Sequence, residues 1–277
     1  MEVITLNIKV LHRSKDEATP AVSELRYIAR THEHASKNDL VHLEVLLPDQ
    51  ASRDLGDQDV LINEIEGIEK NKNAQVIRTF YYALPVEDEF DHEKQIRFSQ
   101  NFVKQIFVSS GMCTILALHD KGTGNPHAHG ILTVRSLDEN GHWMHKQRKN
   151  YVLDEDGNKI YDRLKKTYRC GRRIMVNDWD DPENVEKWRR AFAEALNREF
   201  DRLGIDRVVT HKSYARQGLD LAPTVHLGRA ATEMERRGEK TRRGDVNRAI
   251  IGERERRELE RQQDRERECD RGRERGR

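Results

Sequence analysis

The residues best suited to chemistry in this chain lie in LHDKGTGNPHAHGILTVR, residues 118–135. His119 stands on one side of a Gly/Asn/Pro turn. His127 and His129 stand on the other, with only Ala128 between them. Strand alternation places His127 and His129 on one side of the chain, Cα atoms about 6.6 Å apart. Imidazole nitrogens reach a metal at roughly 2.0–2.1 Å, so two at that spacing can converge on one ion. His119, on the neighbouring strand of the same hairpin, can supply a third nitrogen. A three-histidine set with open positions is a catalytic metal site by type, because structural zinc sites fill all four positions. Three separately hydrogen-bonded histidines are the plainer alternative. A His-x-His pair facing a third His across a tight turn argues against it.

A second candidate lies in TPAVSELRYIARTHEH. Ala21, Val22, Leu25, Ile28 and Ala29 form one apolar stripe at helical spacing, and Tyr27 falls about 200° from Leu25, away from it. Such a tyrosine is either an ordinary exposed residue or a functional one. A phenol with the ordinary pKa of about 10 is a poor nucleophile at neutral pH. Beside a divalent cation its phenolate is favoured, and the same ion polarises a phosphate oxygen. Tyrosine plus a three-histidine metal is suited to attack on a DNA phosphodiester, leaving a covalent phosphotyrosine.

The elements that must position these groups are legible from periodicity. Strands are expected at 3–10, 40–48 and 76–85, and at 114–120 and 127–135, the last two joined as a hairpin by KGTGNP. Helices are expected from Thr19-Pro20, over 57–70 and 92–108, and from Asp181-Pro182 to Gly204. A small hairpin is expected around Asp156-Gly157. These imply an α+β fold: an antiparallel sheet of about five strands flanked by helices, with the helices mostly on one face. Residues 1–252 read as one domain and 253–277 as a charged helical or disordered tail.

The chain has 277 residues, of which 36% are charged and 35% hydrophobic. From Arg236 onward there are 16 Lys/Arg against 11 Asp/Glu, leaving 34 against 38 before it. The body is thus slightly acidic, and any nucleic-acid contact must come from local patches. Three scattered cysteines, Cys113, Cys170 and Cys269, fit a reducing cytosol better than a disulfide framework. The opening MEVITLNIKVLHR does not read as a signal peptide, and no run approaches the roughly 18 apolar residues of a membrane span. A soluble, cytoplasmic protein is expected.

The chain resembles the relaxase domain of the MobA/MobL family, plasmid-mobilisation members of the histidine–hydrophobe–histidine endonucleases. The stretches that carry the resemblance are VLHRSKDEATPAVSELRYIAR, VHLEVLLP, FYYALP, LHDKGTGNPHAHGILTVR, NVEKWRRAFAEALN, HKSYARQGLD and PTVHLGRAATEMERRG, in the family's order. The resemblance implies a relaxase that nicks one strand at an origin of transfer by metal-dependent tyrosine transesterification. Tyr27 would be the nucleophile, the 5′ end would stay linked to it, and reversal would rejoin the strand. His119, His127 and His129 match the family's metal ligands, with manganese or magnesium the expected ion; imidazoles also accept zinc. The implied partners are single-stranded origin DNA, accessory mobilisation proteins and a coupling protein. One departure stands out. The family carries acids in the strand before ALP, where this chain has Arg78, Thr79, Phe80 and Tyr81. Glu44 matches another acidic position of the family and is the expected supporting acid, although a plain solvent-facing strand residue is nearly as good a reading.

For DNA contacts, residues 146–173 hold ten Lys/Arg against four Asp/Glu, interleaved with Tyr151, Tyr161 and Tyr168. Cations follow a phosphate backbone, and tyrosines stack on unpaired bases at about 1–3 kcal/mol each. Lys146, Arg148 and Lys149 are the candidates there. Arg13, Lys15, Arg216 and Gln217 match family motifs near the site. His142 and His145 read as surface or DNA-side residues. Three rival readings remain: a replication initiator or transposase with the same chemistry, a non-cutting relative that only binds origin DNA, and a small-molecule metal hydrolase. The last leaves Tyr27 and the basic, tyrosine-rich stretch without a purpose.

Overall fold

The computed structural model describes residues 1–14 and 19–275. Its centre is a five-stranded antiparallel sheet: β1 (Leu6–His12), β2 (Leu40–Leu46), β3 (Gln75–Ala83), β4 (Thr114–His119) and β5 (His127–Thr133), in spatial order β1-β3-β5-β4-β2. Every expected strand forms, with its ends displaced by up to three residues. The apolar alternation that marks them is what lets one strand serve two cores. Along β4, Ile115 and Ala117 face one way and Leu116 and Leu118 the other, and the whole strand is buried.

Because both faces of β4 and β5 are apolar, both must be covered. Helices α1 (Pro20–Ile28) and α2 (Gln58–Ile68) cover one face; α3 (His92–Ile106) and α4 (Pro182–Leu203) cover the other. The expectation of helices mostly on one face is therefore corrected. The α3/α4 side is an aromatic core in which Phe80, Tyr82, Phe98, Phe102, Phe107, Trp188 and Phe192 pack with ring centroids 4.7–6.4 Å apart. Such pairs add about 0.5–1.5 kcal/mol each beyond the area they bury.

The starts of α2, α3 and α4 follow local chemistry, and that of α1 does not. Asp57, Asp91 and Asp181 cap α2, α3 and α4 by accepting backbone N–H bonds, and Gly204 closes α4 in the left-handed conformation. Thr19 makes no side-chain cap at the start of α1. Instead Glu66 of α2 accepts the Ala21 N–H at 2.8 Å and also pairs with Arg13. A nine-residue helix is marginal alone, so this tie between helices helps hold α1 in place.

Between β5 and α4, residues 147–175 form a thin, exposed antiparallel arm. Gln147–Arg148 pairs with Ile174–Met175, Tyr151 with Cys170, and Tyr161 with Tyr168. The expected turn at Asp156-Gly157 is present, with Leu153 bridging to Lys159. The arm is tied down where Lys146 meets the buried carboxylate of Glu69, itself forked by Arg135.

The described residues divide into two compact units, Met1–His211 and Lys212–Arg277. Within the second, α5 (Arg229–Arg236) and α6 (Arg242–Arg275) are joined by Glu235, which accepts from the Thr241 N–H and pairs with Arg248. The expected boundary at 252 falls inside α6. Among the described residues no helix is long and apolar enough to cross a membrane.

Candidate active site and metal centre

Strand pairing assembles the histidines. His119 on β4 lies directly opposite His127 on β5, and His129 follows two residues later on the same face. Their ring centroids are 5.0–5.5 Å apart, and one nitrogen from each lies within 4.8 Å of the others. This is the α1/α2 face of the sheet, shared with Ile115, Ala117 and Ile131.

The donor chemistry fits a metal ion. Burial keeps all three imidazoles neutral, the pKa of His119 falling to about 4 and that of His129 to about 3. That of His127 is lowered by the same cause. A neutral imidazole keeps the lone pair a metal requires. His127 Nδ1 donates to the Asn125 carbonyl at 2.7 Å, which leaves Nε2 as its ligand atom. His119 Nε2 donates to the Ile28 carbonyl at 2.7 Å, the outer-shell bond typical of a metal-ligating histidine.

Tyr27 is brought to the triad. The turn of α1 that carries it crosses β5, and its half-buried ring lies edge-on to His129 at 5.6 Å and to His34 at 5.3 Å. Two cations face the ring, Arg30 at 4.8 Å and Lys37 at 4.7 Å. A second tyrosine lies against the histidines. Tyr81 pairs in register with His129, and its ring is 5.3 Å from His127 and 5.1 Å from His129. Burial raises the pKa of Tyr81, so it stays a protonated donor. Tyr81 occupies the strand before ALP, where the resemblance leads one to expect acids.

Glu44 is not brought to this group. A bulge between Leu40 and His42 shifts the pairing by one residue, so Glu44 opposes Leu116 and faces the other side of the sheet. There its carboxylate lies 2.9 Å from His42 Nε2. The buried acid beside the triad is Asp39, which is paired with Arg30. Asp39 is 3% exposed, and Arg30 donates to it from Nε at 2.6 Å and from Nη2 at 3.2 Å. Burial alone would raise the pKa of Asp39, but the Arg30 fork outweighs it and holds the group below the usual carboxylate range. Sequence reasoning passed over Arg30, Asp39 and Tyr81. The available signals were a long cation directly after a helix end and a tyrosine in period-two phase with the site.

The remaining candidates are dispersed. Arg13 ties the end of β1 to the carbonyl of Glu69 and to Glu66. Lys146 is engaged by Glu69 and the Gln75 carbonyl. Arg148 and Lys149 are exposed at the base of the arm, while Arg216 and Gln217 lie in the second unit in a short 3-10 turn. Lys15 lies outside the described residues. His142 and His145 are exposed.

Comparison with known proteins agrees with this architecture. Residues 21–237 match the model of the MobA/MobL family. The chain is 29% identical over 268 residues to the probable mobilization protein MobA of Bifidobacterium longum, covering 88% of this chain and 46% of that protein. It is 32% identical over 222 residues to the conjugal transfer protein TraA of Agrobacterium fabrum, covering 76% of this chain and 19% of that one. The chain thus spans less than half the length of either relative. A solved structure described as "Molecular Basis of Vancomycin Resistance Transfer in Staphylococcus aureus" has the same fold, with a TM-score of 0.62 at 22% identity over 76% of this chain and 100% of that one. With the match covering four of the five central strands, the triad and Tyr27, this chain belongs to the MobA/MobL family.

Proposed function

We propose that the chain is a plasmid-mobilisation relaxase that nicks one DNA strand at an origin of transfer, with Tyr27 as nucleophile. The observation that carries this reading is the Tyr27 ring set edge-on against His129 of a neutral three-histidine cluster. The phenolic oxygen attacks the scissile phosphorus. The bond from phosphorus to the 3′-oxygen breaks, that oxygen leaves as a hydroxyl carrying the equivalent of the proton lost by the phenol, and the 5′-phosphate stays on Tyr27. The return attack by the 3′-hydroxyl rejoins the strand.

His119, His127 and His129 would hold a divalent ion, whose chemistry here is to polarise a non-bridging phosphate oxygen. Manganese or magnesium is the proposed working ion, with zinc accepted by the same imidazoles. Arg30 and Lys37 set positive charge against the attacking residue. Tyr81 offers its phenolic proton as a hydrogen bond on the same face of the sheet. Arg148 and Lys149 at the base of the arm, with Tyr151, Tyr161 and Tyr168 along it, are the proposed track for unpaired DNA. Accessory mobilisation proteins, a coupling protein and a cytoplasmic setting belong to the same proposal.

The test is incubation of the protein and Mn²⁺ with labelled single-stranded oligonucleotides from its replicon, followed by a denaturing gel. A slow-moving covalent adduct is expected with the wild-type chain, and none with Tyr27→Phe or without metal. Binding of origin fragments with no adduct on any of them would sink the reading and leave a DNA-binding relative.

A further inference from the structure

Arg30 occupies the one position on His119 that a metal would need. Its partners settle the tautomer of that histidine. The Ile28 carbonyl can only accept, so Nε2 carries the proton. A guanidinium has no acceptor, so Nδ1 must accept the bond from Arg30 Nη2 at 3.2 Å. The remaining lone pair of His119 is therefore already in use. His127 and His129 show no such competitor among the described hydrogen bonds.

The placement of Arg30 is held by several independent features. Its backbone is left-handed, φ 55°, at the end of α1, where glycine is the usual residue, and the Thr31 N–H closes the turn onto the Arg26 carbonyl. A non-glycine residue there costs about 1–2 kcal/mol. That conformation turns the side chain back beneath Tyr27, where Nη1 donates to the Tyr27 carbonyl. Asp39 grips it from the other side. Arg30 is 8% exposed, and its guanidinium meets the nucleophile, a metal ligand and a buried acid together.

We propose that Arg30 is a displaceable stopper of the metal position: in the free protein it caps His119 Nδ1, and a divalent ion enters only by taking that lone pair from it. Once displaced, Arg30 keeps Asp39 through Nε and one Nη2 hydrogen, and the other Nη2 hydrogen is released toward the site, available to an oxygen of a bound phosphate. Metal and guanidinium compete for one atom, so Arg30 lowers the affinity of the free site. This inference rests on reading the triad as a metal centre.

The test is titration calorimetry of the whole chain, freed of metal, with MnCl₂ and ZnCl₂. The double variant Arg30→Met/Asp39→Asn removes the stopper without stranding the buried acid. It is expected to bind either ion about tenfold more tightly than wild type. A residue that merely supports the site would give the opposite sign. A second measurement needs no variant: the side-chain ¹⁵N resonances of Arg30 in the wild-type protein should move as ZnCl₂ is added, together with those of His119. If the double variant fails to fold, those resonances decide alone. Equal or weaker binding by the folded variant, or Arg30 resonances unmoved by bound zinc, overturns the stopper and leaves the triad standing. If neither protein binds either ion, the metal centre itself is refuted, and the stopper with it. The adduct assay with Tyr27→Phe tests the nicking reaction separately.

Discussion

Gly130 follows His129 directly, and a single methyl group there tests how the histidine cluster depends on the core behind it. A Cβ at this position would lie 2.1 Å from Cε1 and Cζ of Phe80 and 2.8 Å from the Ile115 carbonyl oxygen. Phe80 has nowhere to retreat. It is 1% exposed and stacked on Tyr82 at 5.7 Å and Phe107 at 5.4 Å. Overfilling a packed core costs about 1–3 kcal/mol, and the gain from replacing glycine in a strand returns about 0.5–1. Because a backbone oxygen is also in the way, Gly130→Ala should fall toward the upper end, a net loss of about 2 kcal/mol. Phe80→Leu removes the obstructing ring edge, and the double variant should lose about 1–2 kcal/mol less than the two single losses summed. Urea unfolding followed by tryptophan fluorescence measures all four proteins, since Trp179 and Trp188 lie in the affected core. Gly130→Ala should also weaken Mn²⁺ binding, because β5 must shift away from β4 and carry His127 and His129 with it. Strict additivity, within about 0.5 kcal/mol, would refute the steric argument. So would a stable Gly130→Ala protein.

Two further predictions concern charge. In metal-free protein the depressed pKa values of His119 and His129, about 4 and about 3, make stability depend on pH. Below the ordinary value of about 6.5 the unfolded chain takes up protons that the folded chain refuses, so this contribution is complete above about pH 6.5 and declines as pH falls toward the folded values. The urea midpoint in EDTA should be lower at pH 5 than at pH 7.5, and equal midpoints would contradict the burial argument. On the arm, replacing Arg148 and Lys149 together by alanine should flatten the salt dependence of single-strand binding by about 1.4 in the log–log slope. Lys146→Ala should leave that slope unchanged and instead lower the melting temperature, since it removes one of the two cations, with Arg135, that pair with buried Glu69. An unchanged slope in the double variant would exclude both residues from the DNA track.

The parts of the site that local pattern can encode were legible. Alternation located β4 and β5, the turn between them set His119 opposite His127, and helical spacing turned Tyr27 away from the apolar stripe. What escaped depends on register or on distant partners. Glu44 lies in a strand that was read correctly, yet one bulged residue moves it to the opposite face, and nothing in VHLEVLLP announces a bulge. Asp39 and Arg30 are nine residues apart, and only the left-handed turn after α1 folds one onto the other. Lys146 looks like any basic loop residue until Glu69, far off in sequence, claims its charge. The tie from Glu66 to the start of α1 is equally invisible, because a helix cap supplied by another helix leaves no local motif. Helices on both faces were implied by β4, whose run TILALH is apolar on both sides, but alternation elsewhere concealed it.

The two anchors of α1 also have a mechanical meaning. The helix is short, and its ends are held by side chains: Glu66 at the start and the Arg30–Asp39 fork at the finish. A pull applied at the Tyr27 ring runs along the helix to the Glu66 bond and the Arg30–Asp39 pair, and into β4 through the Ile28 carbonyl that accepts from His119. A few polar links hold over a short extension and then let go, whereas the hydrogen-bonded strands beneath share a load across many bonds. If a strand of DNA is tethered to Tyr27, the yield point under tension is the seat of α1, and of the three histidines His119, bonded to the Ile28 carbonyl, is the one that feels it move.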